Sequence, residues 1–183
     1  MKAGALDGIE VLEGRTSLMA IFLLLFAIPC LIGILGGVSI AAVLGFLLST
    51  FLLQGFAPAA GIGLGFPVYL LLPFLVSVAA GVILGIFRVC DLFSEKSPWV
   101  AGHIGKVRDL MERHEILKAY GEYMLIPLMW VPGLGLYGTP ALAWILHWRS
   151  IRSVLLMLTG WIIACLAVLG LVEGILAVFF SKI

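Results

Sequence analysis

The sequence predicts an all-α, polytopic integral membrane protein, and three observations carry that prediction. Its 183 residues are 63% hydrophobic and 11% charged, with a mean hydropathy of +1.22, whereas a soluble domain is roughly half apolar and a quarter charged. No Asp, Glu, Lys, Arg or His occurs between Ser17 and Phe87, and a hydrocarbon layer of about 30 Å takes about 20 apolar residues for each helical crossing. Further apolar stretches follow a single charged segment, residues 88–122. About four transmembrane helices, two broken or re-entrant segments and one amphipathic surface helix account for the whole chain as a single membrane domain.

The first fifteen residues carry Lys2, Asp7, Glu10, Glu13 and Arg15 with no small-x-small cleavage pattern after them, so the apolar block 17–35 is expected to stay as a first crossing. Pro29 removes a backbone donor there and predicts a kink. Gly36 and Gly37 permit a reversal into 38–53, a second, short crossing. Residues 54–67 hold four glycines and two prolines in fourteen positions, which argues against a straight helix. Either this backbone is broken inside the bilayer, where only protein or a watery cavity can satisfy it, or it is an ordinary loop outside. Residues 68–87 form the next crossing.

The charged segment then changes the solvent. Ser97-Pro98 has the form of an N-cap followed by proline at the first helical position, and Ile104, Val107, Met111 and His114 recur at helical spacing opposite the Arg108–Glu112 and Asp109–Arg113 pairs. A cytoplasmic amphipathic helix over 97–120, lying on the membrane, is expected. Residues 121–148 are apolar but interrupted by Val131-Pro132-Gly133-Leu134-Gly135 and by Gly138-Thr139-Pro140. Arg113 and Lys118 precede that segment and Arg149 and Arg152 follow it, so a re-entrant hairpin satisfies the preference of basic loops for the cytoplasmic side better than a crossing does. The last crossing, 153–180, contains Glu173, which lies 21 residues past Arg152, or about 31 Å along a helix, near the far interface. Trp99, Trp144 and Trp148 are expected as headgroup-level anchors and Trp161 as packing.

Several classes are excluded. A formal charge of +1 with no basic stripe or recognition motif speaks against nucleic acid. Cys30, Cys90 and Cys165 are scattered, and His103, His114 and His147 lack metal-ligand spacing, so neither a disulfide framework, a metal nor another cofactor is indicated. No nucleophile or phosphate-loop pattern occurs, and an enzyme is not expected.

From Lys118 through the Tyr120-Gly121 step, Pro132-Gly133-Leu134-Gly135 and the Ala141-Leu142-Ala143 return to Leu146, the chain resembles the small multi-drug export protein family. Gly55-Phe56-Ala57-Pro58 through Gly65-Phe66-Pro67 is similar to that family's Glu-Leu-Arg-Gly-x-x-Pro region. The resemblance covers about residues 50–181 and implies, together with the broader DedA-like group, two broken segments facing one another inside a helical shell. The chain departs from the family where Glu-x-Arg is common, with Leu52 and Gln54 in those places, and where the hairpin often carries threonine, with Leu134. Glu13-Gly14-Arg15 stands either as the counterpart of the missing pair or as a charge pair at the membrane edge.

The resulting functional expectation is a multidrug-type transporter of the cell membrane with a midplane site between the two broken segments, where paired interrupted segments commonly place one. The candidate pathway residues are Gln54, Gly55, Pro58, Gly61, Pro132, Gly133, Gly135, Tyr137, Thr139 and Pro140, with Glu122 and Glu173 as candidates for proton coupling. A DedA-like lipid scramblase and a non-transporting membrane scaffold are the alternatives. The expected partners are the bilayer and a small-molecule or lipid substrate, with a homo-oligomer left open. Small-residue spacings such as Gly61 to Gly65 permit close helix packing without saying whether the partner is the same chain.

Overall fold

The computed structural model describes residues 14–96, 120–131 and 134–180. The surface helix expected over 97–120 therefore lies, but for Tyr120, outside the described residues. Every element among the described residues is helical. The chain is an all-α polytopic membrane protein, with four stretches long and apolar enough to cross a bilayer: Leu18–Leu35, Ile40–Gly63, Val68–Phe93 and Ile151–Val172.

The first stretch joins α1 (Gly14–Phe22) to α2 (Ile28–Leu35) through a π-helical turn, Leu23–Ala27. Pro29 explains the turn. It has no N–H for an upstream carbonyl and its ring crowds the preceding turn, so the ladder slips and the Ile28 N–H reaches back to the Leu23 carbonyl. The slip leaves the Leu24 carbonyl without a backbone donor. The Ser77 hydroxyl on the neighbouring helix supplies one at 2.8 Å. The kink expected at Pro29 is thus a widened turn, tied down by a side chain 53 positions away.

Helix α2 ends at Gly36-Gly37, where Gly37 takes φ +70° and Val38 N–H closes onto the Gly33 carbonyl. Ser39 then caps α3 (Ile40–Leu53), its side chain accepting from the Ala42 N–H. A 3₁₀ turn, Gln54–Phe56, leads into α4 (Ala57–Gly63), with Pro58 in its first turn. In a straight helix Phe46 and Gly61 would stand roughly 22 Å apart, yet Gly61 packs directly on the Phe46 ring. Leu64 likewise approaches Gly45. The stretch Ile40–Gly63 is therefore a helical hairpin folded at Gln54. The crossing expected over 38–53 and the broken segment expected over 54–67 are its two legs, the longer one spanning about 21 Å.

Helix α5 (Val68–Lys96) runs antiparallel to α1–α2, with Gly81 against Leu25 and Gly85 near Ile21. Lipid gives apolar helices no hydrophobic reason to associate, so close approach at small residues carries much of the packing. Phe74 of α5 stacks on Phe46 at 4.5 Å between centroids, and Phe66 meets the same ring at 4.7 Å. These rings seat the first hairpin against α5.

A second hairpin follows. The 3₁₀ turn Gly121–Met124 and short α6 (Leu125–Leu128) descend, and α7 (Gly135–Ile145) returns. His147, at φ +61°, ends α7 in a position usually held by glycine. This hairpin occupies 121–148, the segment expected to follow a re-entrant path. Helix α8 (Ile151–Phe180) then crosses with Gly160 against α6, so close that a Cβ there would lie 2.6 Å from the Ile126 carbonyl oxygen. Turns 36–39 and 64–67 lie at one end of α5, while Asp91, Trp144 and Arg149 meet at the other. The two hairpins consequently enter from opposite faces.

Replacing Ser77 by alanine strands the Leu24 carbonyl in a half-buried site and should destabilise the fold by about 1 kcal/mol. A thermal midpoint of Ser77→Ala in detergent equal to that of the unmodified chain would contradict this account of the π-turn.

Candidate functional site

The first hairpin turns at Gln54 with φ +48° and ψ −115°. That region suits glycine, and a residue with a Cβ is held there at a cost of about 1–3 kcal/mol. Glycine is the next residue, Gly55, and is not among those with positive φ. Breaking α3 at this point also frees its last carbonyls, which have no partners further along the helix. One of them, on Phe51, accepts the Tyr137 hydroxyl at 2.6 Å. Tyr137 belongs to α7, so this bond fastens one hairpin tip to the other.

The second tip runs from Met129 to Gly135. The Gly135 N–H closes onto the Val131 carbonyl at 2.8 Å. A Cβ on Gly135 would lie 3.1 Å from the Met129 carbonyl oxygen and 3.4 Å from Oε1 of Gln54. Glycine is what lets the second tip close this tightly on its own Met129 carbonyl, with Gln54 in van der Waals reach across the gap.

Between the tips and α8 lies a cavity of about 450 Å³, within the range of small-molecule sites. Residues 52–56 form one wall, Met129, Trp130, Val131 and Gly135 a second, and Trp161, Ala164, Ala167, Val168 and Leu171 of α8 the third. The third wall repeats at three- and four-residue steps, one face of a helix, and its alanines leave the room. No described lining residue is charged. Leu52, Phe56 and Leu171 on the rim are 72%, 64% and 67% exposed, so the mouth opens through an apolar rim on the outer surface of the helices.

Charge collects instead at the base of the second hairpin. The Asp91 carboxylate on α5 accepts from Trp144 Nε1 and from Arg149 Nη2, each at 2.8 Å. Trp144 is therefore bonded within the protein, beyond the anchoring role expected of it. The Arg152 guanidinium lies 4.9 Å from the centre of the Tyr123 ring. These contacts hold both ends of the hairpin on one face.

The structure brings Gln54, Gly55 and Gly135 together around the cavity. Pro58 and Gly61 are buried in the first hairpin, where they shape its short leg. Tyr137 clips the tips, while Thr139 and Pro140 are buried in α7 away from the lining, and Thr139 Oγ1 finds no partner among the described residues. Pro132 and Gly133 lie outside the described residues. Glu122 stands at the hairpin base with its carboxylate 3.5 Å from the Ser150 hydroxyl, remote from the lining. Glu173 is on α8 two residues past Leu171, its side chain outside the described residues. The α8 wall and Met129 are contributors that spacing within the two broken segments could not reveal. No cluster of metal-ligating side chains occurs among the described residues.

No family model matches the chain, nor does any curated protein or solved structure. The reading of the site rests on its geometry.

Removing the Tyr137 hydroxyl leaves the Phe51 carbonyl unpaired and the tips unfastened. Tyr137→Phe should lower the thermal midpoint by an amount corresponding to about 1–2 kcal/mol, whereas an unchanged midpoint would show that the clip contributes nothing.

Proposed function

We propose that the protein is a membrane transporter of small amphipathic solutes, with the cavity between the hairpin tips as its binding site. One observation carries this reading: two helical hairpins based at opposite ends of α5 meet tip to tip at a 450 Å³ cavity. Interrupted segments that face one another at mid-depth are the arrangement by which a fixed site can be exposed to one side and then the other. Each tip closes half of the path. The apolar rim favours solutes that partition into the bilayer, as expected of a multidrug-type exporter, and the cell membrane is the proposed location.

No charged described residue lines the cavity, and Glu122, at the hairpin base beside Ser150, has no direct place in coupling through it. If protons drive transport, they must act from the hairpin base or from the far end of α8.

A second reading, lipid scrambling, draws support from the same apolar-rimmed mouth, since a hairpin pair open to lipid can pass a headgroup along its surface. The two readings separate in one reconstituted system. Scrambling exchanges labelled phospholipid between leaflets without a gradient, whereas transport moves solute and is gradient-dependent.

Gly55 offers a clean test because a Cβ built on it meets nothing within 4 Å, although the residue lines the cavity. Gly55→Leu should fold normally and plug the site. In proteoliposomes, flux of a panel of amphipathic dyes is expected to fall at least about tenfold, the equivalent of about 1.4 kcal/mol. Undiminished flux from a correctly folded variant would remove the cavity from the transport path.

A further inference from the structure

We infer that the cavity selects an uncharged amphipath whose polar end both donates and accepts hydrogen bonds, and that the carboxamide of Gln54 recognises it. This rests on the reading of the cavity as the transporter's binding site and adds the substrate class to it.

The backbone supplies the first argument. Gln54 occupies φ +48°, ψ −115°, a conformation glycine would adopt without strain, and a strained residue persists only where its surroundings over-determine it. The strain falls on the wall of the cavity. What glycine would lack there is the side chain.

The lining supplies the second. Among the described residues of the three walls, Gln54 alone has a side chain with both donor and acceptor atoms, since the Trp130 and Trp161 indoles only donate. Its amide makes no hydrogen bond to a described residue, and Oε1 faces Gly135 across the gap between the tips. A ligand that offers one donor and one acceptor, such as a carboxamide, can pair with it at two points.

The third argument is electrostatic. A charge carried to mid-membrane needs a counter-charge or a watery cavity, and the described lining provides apolar side chains, glycine and one neutral amide. A charged headgroup would find no counter-charge among the described residues of these walls. A neutral molecule with an apolar body fits both the walls and the apolar mouth.

The experiment uses the full chain in phosphatidylcholine vesicles and the photoreactive carboxamide 4-benzoylbenzamide. Covalent labelling is expected on peptides containing residues 52–56 or 161–171. Decanamide should displace the probe at about tenfold lower membrane concentration than decanoate or decyltrimethylammonium, the difference one well-formed hydrogen-bonded pairing makes. Gln54→Gly should keep or raise the thermal midpoint while losing about tenfold in labelling, because the strain disappears together with the recognition group. Gln54→Leu should also lose labelling.

Equal displacement by charged and neutral chains, or labelling unaffected in both variants, overturns the proposal. So does a Gln54→Gly protein that loses stability and labelling together, since Gln54 would then merely brace the two tips. Labelling that is not saturable in the unmodified chain counts against it equally. Selective labelling in a protein that moves no solute leaves this inference standing and sinks transport, while dye flux unchanged in Gln54→Gly sinks this inference alone.

Discussion

Hydrocarbon offers no hydrogen bonds, and the rest of this structure follows from that constraint. A broken helix frees carbonyls and amides, each of which costs several kcal/mol if left bare in lipid. The chain breaks its helices three times within the described apolar region, and at two of the breaks a side chain from another element meets a freed carbonyl. Ser77 does so for the π-turn at Pro29 and Tyr137 for the tip at Gln54. At the third, the tip around Gly135, local backbone bonds close the turn. The breaks are thus where distant parts of the fold are joined.

That arrangement links architecture to chemistry. Because the hairpins stop part-way along the bundle and meet, its middle holds two short turns instead of continuous helix, and the turns leave space. The α8 face with Ala164 and Ala167 keeps that space open on its third side. A charged cluster lies instead at the base, where Asp91 ties α5 to Trp144 and Arg149. Separating a neutral pocket from a charged base allows the base to hold the hairpin without imposing a field on whatever occupies the tips.

Much of this was legible beforehand. The apolar blocks, the charged interruption and the hairpin over 121–148 followed from hydropathy and from basic residues at both ends of one segment. Gly135 and Gln54, which the fold brings beside one cavity, stand out in the sequence because glycine, proline and a lone amide are conspicuous in an apolar run. The partition of residues 38–67 was not legible. Composition alone made α3 a short crossing followed by a break, since a helix of spanning length and two shorter antiparallel legs share the same hydropathy. Only the contact of Gly61 with Phe46, and the aromatic cluster of Phe46, Phe66 and Phe74, distinguishes them. Glycines at 55, 61 and 135 looked alike in sequence, yet Gly55 faces open space, Gly61 packs on a ring and Gly135 sits close against the Met129 carbonyl of its own tip.

The sequence by itself determined the solvent of this protein, its helical class and the places where its helices must break, because those depend on hydropathy and on the backbone limits of proline and glycine, which are local. The tertiary structure alone decided that the breaks meet. Pairings such as Tyr137 with Phe51, Ser77 with Leu24 and Trp144 with Asp91 join positions 53 to 86 residues apart, and such contacts arise from the packing of whole helices, which no local pattern encodes.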